Sequence, residues 1–122
     1  MSFEKSLETE IKNVFSQGPI AGLAGGEELM SSTGDTFDVK DPGSGEKLAE
    51  VHNLQAEDVD RAVELAGQAF ENAEWAGLPV NERCVYLHRL ADEVENRKPL
   101  ISHLESMDCG KILGQAEDDV QN

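Results

Sequence analysis

Cys84 and His88 are the two side chains whose types and spacing come closest to chemistry in this sequence. They lie four residues apart, so on a helix they would face the same way and could form a thiolate–imidazole nucleophile or half of a zinc site. Cys84 also falls on an apolar stripe with Leu87 and Ala91, and that position favours a buried, inert thiol. No second pair of ligands follows at metal spacing, so the pair predicts no metal site.

The other candidates for chemistry are weaker. Cys109 follows Asp108, whose negative charge would raise the pKa of a thiol instead of lowering it. Gly110-Lys111 resembles the end of a phosphate-binding loop, but Glu105 stands where that motif needs its first glycine. The glycine-rich stretch 22–26 lacks the spacing of a dinucleotide fingerprint. Spacing alone therefore predicts no catalytic or cofactor-binding residue.

Composition restricts the partners of the chain. Its 122 residues include 25 acidic and 10 basic side chains, for a formal net charge of −15. Such a surface repels nucleic acid and anionic lipid, so we expect neither as a partner. No apolar run approaches the roughly 20 residues that span a bilayer, and the sequence starts without a signal-peptide pattern. With only two cysteines, the expectation is a cytoplasmic, reducing location.

The first half of the chain predicts one helix and a small amount of β structure. Apolar residues recur at helical spacing over 3–15, and Gly18-Pro19 ends that helix. The glycines of 18–26 predict a linker without a regular element. Short candidate strands at 36–39 and 47–51 flank the turn 41–45, which predicts an antiparallel hairpin or a three-stranded meander.

The second half predicts four helical pieces. The first covers 56–72, with Val59, Ala62, Val63, Ala66 and Phe70 on its inward face. The second begins at Pro79 and has an apolar stripe of Cys84, Leu87, Leu90, Ala91 and Val94; the third begins at Pro99 and ends at Gly110; the fourth begins near Leu113. The expected fold class is therefore α+β, with no alternating βαβ units and no strands for a parallel nucleotide-binding sheet.

Five short phrases occur in an order that a known family shares. They are the apolar–Gly–Gly–Glu phrase 23–27, the turn Asp41-Pro42-Gly43-Ser44-Gly45-Glu46, the helix start 57–63, the Trp, Leu-Pro and Glu-Arg positions of 75–83, and the phrase 104–111 with Leu104-Glu105-Ser106 and Gly110-Lys111. Together, over about 23–120, they resemble the amino-terminal segment of the NAD(P)-dependent aldehyde dehydrogenase superfamily. One departure is Gln55, which stands where the family usually has a Thr or Ser helix cap, and it predicts a weaker helix start.

The resemblance implies that 23–122 is a truncated part of a larger α/β fold, preceded by a separate helix and linker over 1–22. The family's catalytic Cys, Glu and Asn and its nucleotide-binding sheet would lie downstream, so NAD or NADP and an aldehyde are expected only for a complete parent enzyme. No cofactor is expected for this chain alone. Many family members hold a cation at positions that match Val39 and Asp108, which implies a partial cation site. Asp108 as a solvated helix-end carboxylate remains the alternative.

Three hypotheses for the function follow. The leading one is an inactive amino-terminal piece of an enzyme that oxidises an aldehyde with NAD(P)⁺. The second is a stand-alone acidic helical module that binds a protein partner or self-associates through exposed apolar helix faces. The third, and weakest, is a small enzyme that uses Cys84 with His88.

Overall fold

The chain folds as an α+β arrangement of hairpins and helices. The computed structural model describes residues 3–122. The elements are α1 (Phe3–Ser16), β1 (Gly22–Ala24), β2 (Glu27–Leu29), β3 (Thr36–Lys40), β4 (Lys47–His52), α2 (Ala56–Glu71), α3 (Ala73–Ala76), α4 (Val80–Asn96), α5 (Lys98–Cys109) and α6 (Leu113–Gln121). The α+β class predicted from the sequence is confirmed, and no helix within 3–122 combines the length and apolarity that crossing a bilayer requires.

The β structure consists of two separate antiparallel hairpins, of which the second is the hairpin predicted around the turn 41–45 and the first was not predicted. β1 pairs with β2, and β3 pairs with β4. The prediction that 18–26 holds no regular element is wrong. Gly25 and Gly26 both adopt positive φ (60° and 81°) and form the two-residue turn between β1 and β2, because a turn whose twist matches its strands needs positive φ at both central positions. These glycines therefore build a hairpin.

The start of α2 is held by a side chain from inside the helix. The Asp58 carboxylate accepts hydrogen bonds from the backbone N–H of Gln55 (2.8 Å) and of Ser32 (3.1 and 3.2 Å). Asp58 is only 7% exposed, and the N–H of Gln55, followed by that of Ser32, holds its pKa below the usual value. Asp58 thus anchors the loop after β2 to α2 and secures the helix start that Gln55 was predicted to weaken.

The helix pattern of the second half is close to the prediction, with one addition. α3 is a separate four-residue helix, so five helices follow the strands in place of four. Its start is capped by Asn72, whose side chain accepts a hydrogen bond from the N–H of Glu74 (3.0 Å). α4 begins directly after Pro79, and α5 ends at Gly110 in the left-handed conformation, as predicted.

The core of the described residues is very small. Ala49 and Ala116 are its buried apolar side chains, and the polar side chain of Ser102 is also fully buried. α5 packs on α6, and α1 packs on α5 and β4. The stripes predicted to face inward on α2 and α4 are mostly exposed, including Val63 (66%) and Leu90 (61%). That expectation is wrong because an apolar face is buried only where another element covers it, and residues 3–122 supply none there.

Candidate functional site

The turn at 41–46 is stabilised by its own side chain. Asp41 Oδ1 accepts hydrogen bonds from the backbone N–H of Gly43 (2.7 Å) and of Ser44 (3.3 Å), and the N–H of Gly45 donates to the Asp41 carbonyl (2.7 Å). The Gly43 N–H is the main cause that holds the Asp41 pKa below its usual value. An aspartate that bonds its own turn in this way fixes the direction in which Pro42 points.

Pro42 of this turn meets Gly110 at the end of α5. Gly110 has φ +69°, and a Cβ placed on it would lie 2.7 Å from Pro42 Cγ. Only glycine both adopts this backbone conformation easily and leaves room for the proline ring. The two most specific phrases of the sequence, 41–46 and 104–111, are therefore in direct contact.

Lys111 joins α5 to α6. Its Nζ lies 2.8 Å from Glu105 Oε1 and 2.6 Å from Asp119 Oδ2, and these two carboxylates raise the lysine pKa, with Asp119 the larger cause. The Ser106 hydroxyl donates to the Lys111 carbonyl over 2.7 Å. Lys111 is thus an ion-paired cation inside a network that links α5 with α6. Asp119 remains 60% exposed while it forms this ion pair.

A mostly apolar cleft of about 450 Å³ opens between α1, the β3–β4 hairpin and α5. Val39 and Asp108, the two residues of the predicted partial cation site, both line it. Glu105 lies at the same cleft but is already bonded to Lys111, so Asp108 is the carboxylate available there. Within the described residues, no group of three or more His, Cys, Asp or Glu side chains gathers at metal distance. The structure brings the two positions to one cleft without completing a ligand set.

Neither cysteine is buried or disulfide-bonded in the structure. Cys84 and Cys109 are both free and exposed, so the prediction that Cys84 is buried is wrong. The physical reason is that the α4 stripe on which it lies has no covering element. Among residues 3–122, no hydrogen bond joins Cys84 to His88, whereas Cys109 Sγ lies 3.9 Å from Glu105 Oε1. The thiolate–imidazole pair considered from the spacing is therefore not formed by a hydrogen bond among the described residues.

The described residues do not fit a dinucleotide. Such a site needs a parallel sheet and a glycine turn that leads from a strand into a helix, so that helix N–H groups meet the phosphates. Here the strands form two antiparallel hairpins, and the glycine turn at 25–26 leads from one strand into another. No step that involves a nicotinamide cofactor can be assigned to these residues.

One polar cluster was not foreseen from the sequence. Lys47 Nζ contacts Asp38 Oδ1 (2.6 Å) and Glu50 Oε2 (3.0 Å), and the Thr36 hydroxyl donates to the other oxygen of Glu50. The Thr36 hydroxyl is the largest cause, followed by Lys47, that holds the Glu50 pKa below its usual value. The strand register, which pairs Asp38 with Glu50, brings the carboxylates together across the hairpin, and charge spacing along one strand could not reveal it. The cluster secures the solvated side of the hairpin.

Comparisons with known proteins show which family the chain matches. The model of the aldehyde dehydrogenase family matches residues 29–122. The mitochondrial benzaldehyde dehydrogenase of Antirrhinum majus is 38% identical over 110 residues, which is 90% of this chain and 21% of that protein. A Bacillus cereus aldehyde dehydrogenase solved with NAD⁺ is 34% identical, with a TM-score of 0.81 over 88% of this chain and 22% of its own. A Staphylococcus aureus betaine aldehyde dehydrogenase with NAD⁺ shares the fold (TM-score 0.85, 24% identity, 94% and 23% covered).

The chain has a hairpin-and-helix fold that solved aldehyde dehydrogenases share over 22–23% of their own length. The chain belongs to the aldehyde dehydrogenase family. It spans between 12% and 22% of the length of the relatives that it matches. The structural match over 94% of the chain also extends into 1–22, where the sequence phrases offered no counterpart.

Proposed function

We propose that this chain is the amino-terminal segment of an aldehyde dehydrogenase and serves there as a scaffold without a catalytic group. The observation that carries the proposal is the contact between Pro42 and Gly110, which joins two family phrases. The strands of residues 3–122 pair only as two antiparallel hairpins, so these residues supply no parallel sheet. The complete protein would oxidise an aldehyde to a carboxylic acid or thioester, with NAD or NADP as the hydride acceptor. This chain alone would be inactive and would bind neither cofactor tightly.

Within the complete protein we propose two roles for the described residues. The Pro42–Gly110 contact and the Lys111 network fix the β3–β4 hairpin, α5 and α6 relative to one another. Val39 and Asp108 would supply part of a cation site in the cleft between α1, the hairpin and α5. The acidic surface and the cysteine usage support a cytoplasmic location.

The test of the proposed function is an activity comparison. The purified chain, and a fusion of this chain to the downstream part of the B. cereus enzyme, are assayed for aldehyde-dependent NADH formation. We expect activity from the fusion and none from the chain, and we expect Cys84→Ser to leave the fusion unchanged because Cys84 is an exposed thiol with no assigned role. Aldehyde-dependent NADH formation by the chain alone would overturn the proposal, and its loss in Cys84→Ser would revive the Cys84–His88 hypothesis.

A second measurement defines the protein that cells make. An antibody to these residues is used to isolate the endogenous product, and its intact mass is compared with 13.3 kDa. A product several times heavier than 13.3 kDa would support the proposed function. A product of 13.3 kDa would mean that the short chain is made as such, and its binding partners then become the relevant question.

A further inference from the structure

The accessible surface of this chain is much larger than its mass requires. A compact monomer of 13.3 kDa exposes about 6,400 Å² by the usual scaling of surface with mass, whereas this structure exposes 8998 Å². The excess is about 2,500 Å², which is as much as one partner buries in a large obligate interface. The fold therefore holds an interface-sized area that is not used within the described residues.

Much of the exposed apolar surface lies on α2, which has two apolar sides. One side faces the first hairpin, where Leu65 packs so close to the backbone of Gly25 that a Cβ there would lie 3.1 Å from Leu65 Cδ2. The other side carries Val59, Val63 and Phe70, which are 51%, 66% and 84% exposed. A helix that is apolar on two sides is suited to lie between two layers, and residues 3–122 supply only one of them.

α4 carries the second exposed stripe. Leu87 and Leu90 are 56% and 61% exposed on one side of the helix. Next to them, Tyr86 lies edge-on to Trp75, with ring centroids 6.0 Å apart, and Arg89 lies 5.9 Å from the Tyr86 ring. Trp, Tyr and Arg are the side chains that most often dominate the energy of protein interfaces.

The net charge of this chain and the length of its solved relatives indicate what covers these stripes. A second copy would bring another net charge of −15 to the same surface, so self-association is opposed by repulsion. The solved relatives superpose on this chain with TM-scores of 0.81 to 0.85 over only 22–23% of their own length, so the same conformation occurs in them beside a much longer polypeptide. That longer polypeptide is therefore the occupant that we assign to the stripes.

We propose that the exposed stripes of α2 and α4 bind the remaining part of the aldehyde dehydrogenase fold even when it is supplied as a separate polypeptide. This inference rests on the proposed function, and it goes further because it requires no covalent link after Asn122. The docking surface consists of two stripes: Val59, Val63 and Phe70 on α2, and Tyr86, Leu87 and Leu90 on α4.

The test is co-expression of the 122-residue chain with a tagged B. cereus aldehyde dehydrogenase that lacks the part matched by this chain. Trp75 is the single tryptophan of the chain and is 45% exposed, so its emission in the purified complex reports burial on the chain's side once the partner's own signal is subtracted. We expect a 1:1 complex in sedimentation and a blue-shifted Trp75 emission. Val63→Asp and Leu87→Asp should each weaken binding at least ~10-fold, as for residues near the centre of an interface.

Two controls make the outcome decisive. Ile112→Asp changes a side chain that is 69% exposed but lies between α5 and α6, so it should bind like the wild type. The complete B. cereus enzyme should not bind the chain, because its own segment already covers the surface. Circular dichroism of the free variants should match the wild type, because all three side chains are exposed.

Recovery of the truncated enzyme without the chain would overturn the inference. Equal binding by all three variants would overturn the assigned surface, and homodimers that Val63→Asp disrupts would show that a second copy covers it. Activity of the covalent fusion is read separately. An active fusion without binding in trans would leave the proposed function intact while rejecting this inference.

Discussion

Gly110→Ala tests the contact that joins the two family phrases. The new methyl group must adopt φ near +69°, which costs a non-glycine residue about 1–2 kcal/mol. It would also lie 2.7 Å from Pro42 Cγ and 3.6 Å from Pro42 Cβ, and relief of such overpacking costs about 1–3 kcal/mol more. The expected loss is therefore about 2–5 kcal/mol, a large part of the free energy of unfolding of a small domain.

The assay is urea unfolding followed by circular dichroism, with two matched glycine controls. Gly45 also has positive φ (75°) but has nothing within 4 Å of an added Cβ, so Gly45→Ala should show only the backbone cost of about 1–2 kcal/mol. Gly114 is the second residue of α6 and has open space around it, so Gly114→Ala should stabilise the chain by less than the ~0.5–1 kcal/mol expected in the middle of a helix. The difference between Gly110→Ala and Gly45→Ala isolates the proline contact.

A double-mutant cycle completes this test. Pro42→Ala removes the ring atoms that the new methyl group would strike, so it should recover about 1–3 kcal/mol of the Gly110→Ala loss. Comparison within the cycle cancels the effect of Pro42→Ala on the unfolded chain. A Gly110→Ala cost no larger than that of Gly45→Ala, with no coupling to Pro42, would refute the reasoning.

Three further predictions concern charge. Because the pKa of Asp58 is lowered in the folded state, its contribution to the free energy of unfolding is complete above its unfolded-state pKa of ~4 and is lost as pH falls through the folded pKa. Asp58→Asn should therefore lower the urea midpoint at pH 7 and make that midpoint fall less steeply as the solution is acidified. The raised pKa of Lys111 gives a contribution to the free energy of unfolding that is complete below pH ~10 and is lost as pH rises through the higher folded pKa. Lys111→Met should speed amide hydrogen exchange in α6, because it removes the ion pair with Asp119. Unchanged exchange would contradict the network. Because the net charge is −15, NaCl that shortens the Debye length from ~30 to ~8 Å should raise the urea midpoint, and a falling midpoint would show that the ion pairs outweigh the repulsion.

Much of the local structure could be predicted from the sequence because it depends on neighbouring residues. Pro79 before α4 and Gly110 after α5 act through their own backbone angles, so the helix ends are near the predicted positions. The prediction for the glycines at 25–26 was wrong because a glycine indicates that positive φ is allowed but not whether a loop or a hairpin turn uses it. Asp58 shows a similar limit, since its bond to Ser32 depends on how the chain returns to α2.

The candidate site could be predicted from the sequence only through the family resemblance. The resemblance predicts Val39 and Asp108, and the structure places both at one cleft. No spacing rule connects a strand residue with a helix residue so far along the chain. No sequence pattern predicts the network around Lys47, because the network depends on the register of β3 against β4.

The sequence by itself determined which faces are apolar, where helices begin and end, and to which family the phrases are similar. Tertiary structure alone decided that Pro42 meets Gly110, that Lys111 bridges α5 and α6, and that Cys84 and the stripes of α2 and α4 are exposed. The physical reason is that periodicity is a property of one helix, whereas burial is a property of two surfaces. A pattern can show that a face avoids water, and only the folded chain shows whether anything covers it.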